Sequence, residues 1–191
     1  AQVVHFGVDT RFWHCNHVLE RLDFIFSVGN DLNRDYDTLL KAVGRDHNLH
    51  ILTQKRMDSG PQNVKIDRRW LADYELRELY QTAQFTIIPV KRLEYEASGL
   101  STALQALACG SPVLIPSNPS LVELLSDCPA VHFYSPEKPS SLRDQIAKLA
   151  GTQHFADDAR LKGPQFVAER MSYERFSQRV VKVLSDSSDH L

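Results

Sequence analysis

Residues Ser98-Gly99-Leu100-Ser101-Thr102-Ala103-Leu104-Gln105-Ala106-Leu107-Ala108-Cys109-Gly110-Ser111-Pro112-Val113-Leu114-Ile115-Pro116 follow a mostly apolar run, Phe85 to Val90, and a charged loop, Lys91 to Glu96. The run predicts a strand, and Leu100, Leu104 and Leu107 put an apolar stripe on a helix over Ser98–Cys109. Gly110 stops that helix, and Val113–Ile115 reads as a second buried strand. A first helical turn carrying Gly99, Leu100, Ser101 and Thr102 presents free backbone N–H groups and hydroxyls. Such an end suits an anion, most often a phosphate.

The same alternation extends in both directions. Asp23–Gly29 predicts a strand ending on glycine, followed by a helix with Tyr36, Leu39, Leu40 and Val43 on one face and Gly44 as its stop. Leu49–Leu52 and Val64–Ile66 are further strands, separated by a polar loop from Met57 to Asn63. Tyr74–Ala83 is helical through Leu76, Leu79, Tyr80 and Ala83. After Ile115 come a short helix at Leu121–Leu125, a last strand at Ala130–Tyr134, and an amphipathic helix from Ser141 to Ala150 that Gly151 ends. The tail reads as two helices, Ala156–Met171 and Tyr173–Leu184, the second behind Ser172 as N-cap, with a frayed polar end from Ser185. Strands about 20 to 30 residues apart with helices between them make βαβ units. The expectation is an α/β fold: a doubly wound, Rossmann-like parallel sheet of about six strands, helices on both faces, and a helical tail, in one domain over residues 1–191. In such sheets ligands bind outside the carboxyl ends of the strands, which nominates the loops after Val28, Ile66, Val90 and Ile115.

Composition sets bounds. The 191 residues suffice for one sizeable core, and 42% apolar with 24% charged residues is an ordinary globular balance. A net charge of -2 with scattered basic residues argues against nucleic acid as a partner. Three cysteines, Cys15, Cys109 and Cys128, are an odd number at wide spacing, so a reducing, cytoplasmic setting is expected. No apolar run reaches the roughly 20 residues of a membrane helix, and no signal peptide is visible. The chain starts at Ala1, close to a strand-like Val3-Val4, and is read as a piece of a longer protein.

Several residues have two readings. Arg34, in the loop Gly29–Asp35, is either a guanidinium for a phosphate or a solvated arginine before a helix. Asp35-Tyr36-Asp37 has Asp-x-Asp form, but its place at a helix start favours capping over metal binding. Glu94 and Glu96 either bind hydroxyls, or serve as a base, or belong to a solvated loop. Gln105 either bonds a sugar hydroxyl or is an ordinary exposed glutamine. Arg68, Arg69 and Trp70 either flank a planar base or, for Trp70, fill part of the core. His50 reads as a core histidine, and His14-Cys15-Asn16-His17 lacks a second pair at a zinc spacing. The glycine fingerprints of nicotinamide-dinucleotide sites, P-loops and nucleophile elbows are all missing from the sequence.

Taken in order, these segments resemble the C-terminal, donor-binding domain of a GT-B-fold retaining glycosyltransferase of the group 1 type, from about Val4 to Leu184. Gly7-Val8-Asp9-Thr10-Arg11-Phe12 resembles the crossover from the N-terminal domain. Val28-Gly29-Asn30 with Arg34-Asp35-Tyr36 and Leu39-Leu40-Lys41-Ala42 resembles the first phosphate-contacting strand, loop and helix. Asn63–Ile66 with Glu75-Leu76 and Leu79-Tyr80 resembles the base-binding loop and its helix, and Ser98-Gly99 through Pro112-Val113 resembles the signature helix.

The resemblance implies transfer of a sugar from a nucleotide diphosphate to a glycan, lipid or other acceptor, usually without a metal or other cofactor, in a setting such as polysaccharide biosynthesis. It implies a missing N-terminal domain that holds the acceptor and would carry any peripheral membrane contact. Arg34 and the groups from Ser98 to Thr102 would meet the diphosphate, with Asn30 beside them, and Glu96 the donor sugar. The sequence departs from the family pattern in three places. Gln105 stands where a glutamate accepts the ribose hydroxyls. Glu96 lies nine residues before Gln105, with Ala97 at the Glu-x7-Glu spacing, and Asn30 stands where an arginine is common. These departures bear on donor affinity rather than fold. They leave room for a non-catalytic sugar-nucleotide-binding module or pseudoenzyme of the same fold and, more remotely, a nucleotide-sugar epimerase.

Overall fold

The computed structural model describes residues 3–57, 60–150 and 153–188. Gly151, the middle of the Met57–Asn63 loop and the last three residues of the expected frayed end lie outside them. Among the described residues six strands form one all-parallel sheet: β1 (Ile25–Val28), β2 (Leu49–Leu52), β3 (Val64–Asp67), β4 (Thr86–Ile87), β5 (Val113–Pro116) and β6 (Val131–Tyr134), in the order β3-β2-β1-β4-β5-β6. The helices among the described residues are α1 (Tyr36–Val43), α2 (Asp73–Thr82), α3 (Leu100–Ala108), α4 (Pro119–Leu125), α5 (Pro139–Ala150), α6 (Gln153–Arg170) and α7 (Tyr173–Ser188). The expected Rossmann-like α/β layer and helical tail are therefore present.

Alternation along the strands divides the core in two. Ile25, Leu114 and their neighbours pack under α1 and α5 with Leu39, Leu142 and Ile146. Phe26, Val113 and Ile115 face the other way, onto Tyr80 of α2, Leu104 and Leu107 of α3 and Val167 of α6. Burying a large apolar side chain is worth about 1.5–3 kcal/mol, and that burial, more than strand pairing, fixes β4. Only Thr86 and Ile87 are strand, although the apolar run extends from Phe85 to Val90. Pro89 has no N–H to give a ladder, so pairing ends with Ile88 N–H on Leu114 O (2.9 Å), while Phe85, Ile87, Ile88 and Val90 all stay buried.

Local signals hold at most helix ends. Asp35 caps α1, its carboxylate accepting from Thr38 N–H at 3.1 Å, and Ser172 Oγ accepts from Arg175 N–H at 3.3 Å at the start of α7. The expected helix at 98–109 begins two residues later, at Leu100, because Gly99 takes a left-handed conformation (φ 89°) and acts as the N-cap. Val3-Val4 is not strand; the N-terminal segment is instead clasped to the α6–α7 junction, Val8 N–H donating to Met171 O (2.9 Å) and Tyr173 N–H to Val8 O (3.0 Å). No helix among the described residues is long and apolar enough to cross a membrane.

His50 is buried between Phe24 and Phe26 (ring centroids 6.0 and 5.7 Å away), its Nε2 3.6 Å from Asp67 Oδ2. Burial, with Lys65 adding to it, pulls His50 below the ordinary 6.5, and the Arg69 guanidinium holds the Asp67 carboxyl well below the usual carboxylate range. Both shifts are depressions, so each contributes stability above its unfolded value that is lost as pH falls toward its folded one. The urea midpoint should therefore decline as pH drops from 7.5 to 5.5, through the His50 window, and fall again below about 4, where unfolded carboxylates take up protons. His50→Phe should flatten the first decline; an unchanged slope in that variant would rule out His50 as its source.

Candidate functional site

The strand order reverses between β1 and β4, and in sheets of this kind the ligand site lies at the carboxyl ends of the strands beside that reversal. Backbone contacts tie the loops after β1 and β4 together: Asp35 N–H donates to Pro89 O and Lys91 N–H to Asn33 O, each at 2.9 Å. The carbonyl of Gly29 is fixed by Tyr36 Oη and Thr53 Oγ1, both at 2.8 Å. Burial pushes the Tyr36 phenol up to about 12, so it remains a donor at any physiological pH. Lys55, in the loop after β2, donates to Arg34 O at 3.1 Å.

These contacts hold Arg34 in place, its side chain 3% exposed. Its Nη2 donates to Thr102 Oγ1 at 3.1 Å. Its Nε is 3.2 Å from Asp31 Oδ2 but is not aligned for a hydrogen bond, and Nη1 has no acceptor among the described residues. A buried guanidinium with unused donors is costly, so such a group signals a missing partner. The guanidinium lies close to two backbones: a Cβ on Gly29 would overlap Arg34 Nε, and one on Gly99 would come within 3.0 Å of Nη1.

Opposite Arg34, α3 starts without a side-chain cap. Leu100 N–H donates to Ala97 O (3.0 Å) and Ala103 N–H to Gly99 O (2.9 Å), whereas Ser101 and Thr102 N–H have no acceptor among the described residues. Two free amides, a helix dipole and a spare guanidinium nitrogen thus share one mouth, an arrangement that stabilises negative charge.

The residues nominated from sequence fare differently. Arg34, Gly99 and Thr102 come together, and Ser98 Oγ donates to Asp31 Oδ1 at 3.1 Å on the rim. Leu100 belongs to the mouth, but its amide is already used. Glu96 is exposed, with Oε2 accepting from Asn33 Nδ2 at 3.0 Å. Asn30 reaches toward the loop after β2, where its Oδ1 accepts from Gln54 N–H (2.7 Å) and Thr53 Oγ1 (3.3 Å). Gln105 is half-buried one turn below Thr102. Sequence reasoning missed Asp31 and Lys55; only the three-residue offset of Asp31 from Arg34 hinted at the first.

Beyond the mouth, Trp70 is 82% exposed and not part of the core, and its neighbour Arg69 is paired with Asp67 (2.7 Å). Arg68 bonds Lys55 O (2.5 Å) and Met57 O (3.3 Å), bracing two loops. A cleft of about 660 Å³ opens on the other side of this region, between α2 and β2–β3, lined by Phe24, Leu49, His50, Lys65 and Leu79. It contains none of the mouth residues. Among the described residues no group of three His, Cys, Asp or Glu side chains is placed to hold a metal ion, and Cys15 Sγ lies 3.9 Å from His17 Nδ1.

The sequence matches no protein-family model and no curated protein. Solved structures do match. Sucrose-phosphate synthase from Thermosynechococcus elongatus superposes with a TM-score of 0.80 at 13% identity, over 100% of this chain and 53% of that one. The Anabaena protein HepE in complex with UDP and glucose gives 0.76 at 13%, over 96% of this chain and 56% of that one. The C-terminal domain of a glycosyl transferase group 1 family protein from Francisella tularensis gives 0.67 at 10%, over 87% of this chain and 100% of that one. The chain thus spans about half the length of the first two proteins, and all of the isolated domain.

Proposed function

We propose that this chain, which has the fold of a GT-B C-terminal domain, is the donor-binding part of a two-domain glycosyltransferase. The observation that carries the reading is the buried Arg34 guanidinium, with Nη1 unpartnered, facing the free Ser101 and Thr102 amides. A nucleotide diphosphate supplies the anionic oxygens these donors lack, and a UDP complex among the structures of this fold supports that choice. When the bond between the sugar and the diphosphate breaks, negative charge grows on the leaving phosphate. Fixed N–H donors and a buried guanidinium stabilise that charge without reorganising.

In this proposal Arg34, Gly99, Leu100, Ser101 and Thr102 form the pyrophosphate seat. Ser98 and Glu96 on the rim meet the phosphate and the donor sugar, and Gln105, one turn deeper, accepts from or donates to a ribose hydroxyl. Asn30 acts at one remove, by fixing the loop after β2 beside the seat. Arg34 and the α3 terminus supply the positive charge, so no metal or other cofactor is part of the proposal. The acceptor, a glycan or lipid, falls to a preceding domain of the same protein, and a reducing, cytoplasmic setting fits three cysteines that are all free thiols. The uncharged Gln105 favours a second reading, a module that binds sugar nucleotide without transferring the sugar.

Thermal unfolding with UDP, GDP, ADP and their sugar conjugates tests the shared core of both readings. A ligand at 100 times its Kd stabilises by about 2.7 kcal/mol, which one of these nucleotides should reach. A flat response to all of them would remove the proposal.

A further inference from the structure

The pyrophosphate seat already contains an anion, from the chain itself. Asp31 Oδ2 lies 3.2 Å from Arg34 Nε, and Asp31 Oδ1 accepts from Ser98 Oγ and Asn33 N–H, each at 3.1 Å. One carboxylate thus occupies a guanidinium edge, a rim hydroxyl and a backbone amide that a phosphate oxygen would use. The Asp31 side chain is 41% exposed and that of Arg34 only 3%, so the acid sits between the guanidinium and solvent, where a ligand must enter. The backbone beneath it is held by Arg34 N–H on Asp31 O (3.2 Å) and by Lys55 Nζ on the same oxygen (3.4 Å). Side-chain rotation alone therefore suffices to withdraw the carboxylate, and its misaligned contact with Nε is one that opens readily.

We propose that Asp31 is a resident counter-ion, exchanged for a phosphate of the ligand, and that it sets how much charge a ligand must bring in order to bind. The idea rests on the reading of the mouth as a pyrophosphate seat. With Asp31 in place, the positive charge of Arg34 is met from within the loop and the mouth attracts anions weakly. A nucleoside brings nothing to replace the carboxylate. A diphosphate replaces it and also reaches the Ser101 and Thr102 amides, which Asp31 leaves free. Selectivity for the diphosphate over less charged molecules follows from this exchange, at a cost in affinity.

Asp31→Asn removes the charge and keeps the acceptor oxygen for Ser98 and Asn33. Titration calorimetry of both proteins with UDP, GDP and ADP, and with the matching nucleosides, gives the test. The variant should bind the preferred diphosphate about threefold to tenfold more tightly than the natural chain, with no gain for its nucleoside. Equal or weaker diphosphate binding by the variant overturns the role of Asp31 and leaves the seat intact. Failure of both proteins to bind any of the three overturns the seat, and the exchange with it. Should Asp31→Asn not fold, as judged by circular dichroism, a structure of the natural chain with the diphosphate bound decides. Asp31 turned away from Arg34 supports the exchange, and Asp31 still paired with it overturns it.

Discussion

Arg34→Ala should weaken nucleoside diphosphate binding by roughly tenfold to a hundredfold and leave nucleoside binding nearly unchanged. The magnitude follows from removing hydrogen bonds between charged partners, worth about 1.5–3 kcal/mol. The selectivity follows from position, since Arg34 faces the free amides of α3. The same substitution should cost little stability. In the unliganded chain the guanidinium makes one aligned hydrogen bond, to Thr102, and a misaligned ion pair with the half-exposed Asp31, while Nη1 goes without. A desolvated cation with one aligned bond adds little to the fold, and the half-exposed Asp31 it leaves behind is met by water, so its loss should cost less than about 2 kcal/mol in a urea titration. Calorimetry with the diphosphate and its nucleoside, set beside that titration, separates the alternatives. A steep loss of stability with unaltered diphosphate affinity would make Arg34 a structural strut and end its assignment to the ligand. Arg34→Lys should recover only part of the affinity, because an ammonium cannot reproduce the planar fork between Thr102 and the ligand.

The division between what was legible in the sequence and what was not has a physical basis. Layer and helix faces depend on periodicity within short windows, so the stripe Leu100, Leu104, Leu107 and the alternation in β1 and β5 could be read directly. Glycine stops and the Asp35 and Ser172 caps are equally local. The strand at 85–90 was misjudged in length because apolar content reports burial, whereas a ladder needs an N–H that Pro89 does not have. The core reading of Trp70 fails because residue type reports only that an indole is usually worth burying, whereas its exposure is set by the tertiary course of the loop after β3. At the mouth, the helix terminus was visible and the loop contacts were not. The loop 29–35 offers Asn30, Asp31, Asn33 and Arg34, all polar. Nothing local shows that Asn30 turns to the loop after β2 while Asp31 turns to Ser98, a partner 67 residues away. Such choices are made by tertiary contacts, and they decide the electrostatics of the site.

Gly99→Ala should damage the mouth by displacing the start of α3 itself. At φ 89° an L-residue is strained, at a cost of about 1–2 kcal/mol. In addition, the new Cβ would meet Ile88 Cγ2 at 2.7 Å and Arg34 Nη1 at 3.0 Å. Ile88 is fully buried and cannot retreat, so the start of α3 must move away from Arg34. The total destabilisation should reach about 2–4 kcal/mol, and the diphosphate should lose contact with the amides and the guanidinium together. Gly44→Ala provides the control. Gly44 also has a positive φ, 64°, but its Cβ would find nothing within 4 Å. It should cost only the backbone strain, about 1 kcal/mol, and leave diphosphate affinity alone. The comparison isolates crowding at the mouth from conformational preference. If Gly99→Ala lost no more stability than Gly44→Ala and still bound the diphosphate at full strength, the close approach of α3 to Arg34 would have no part in holding the ligand.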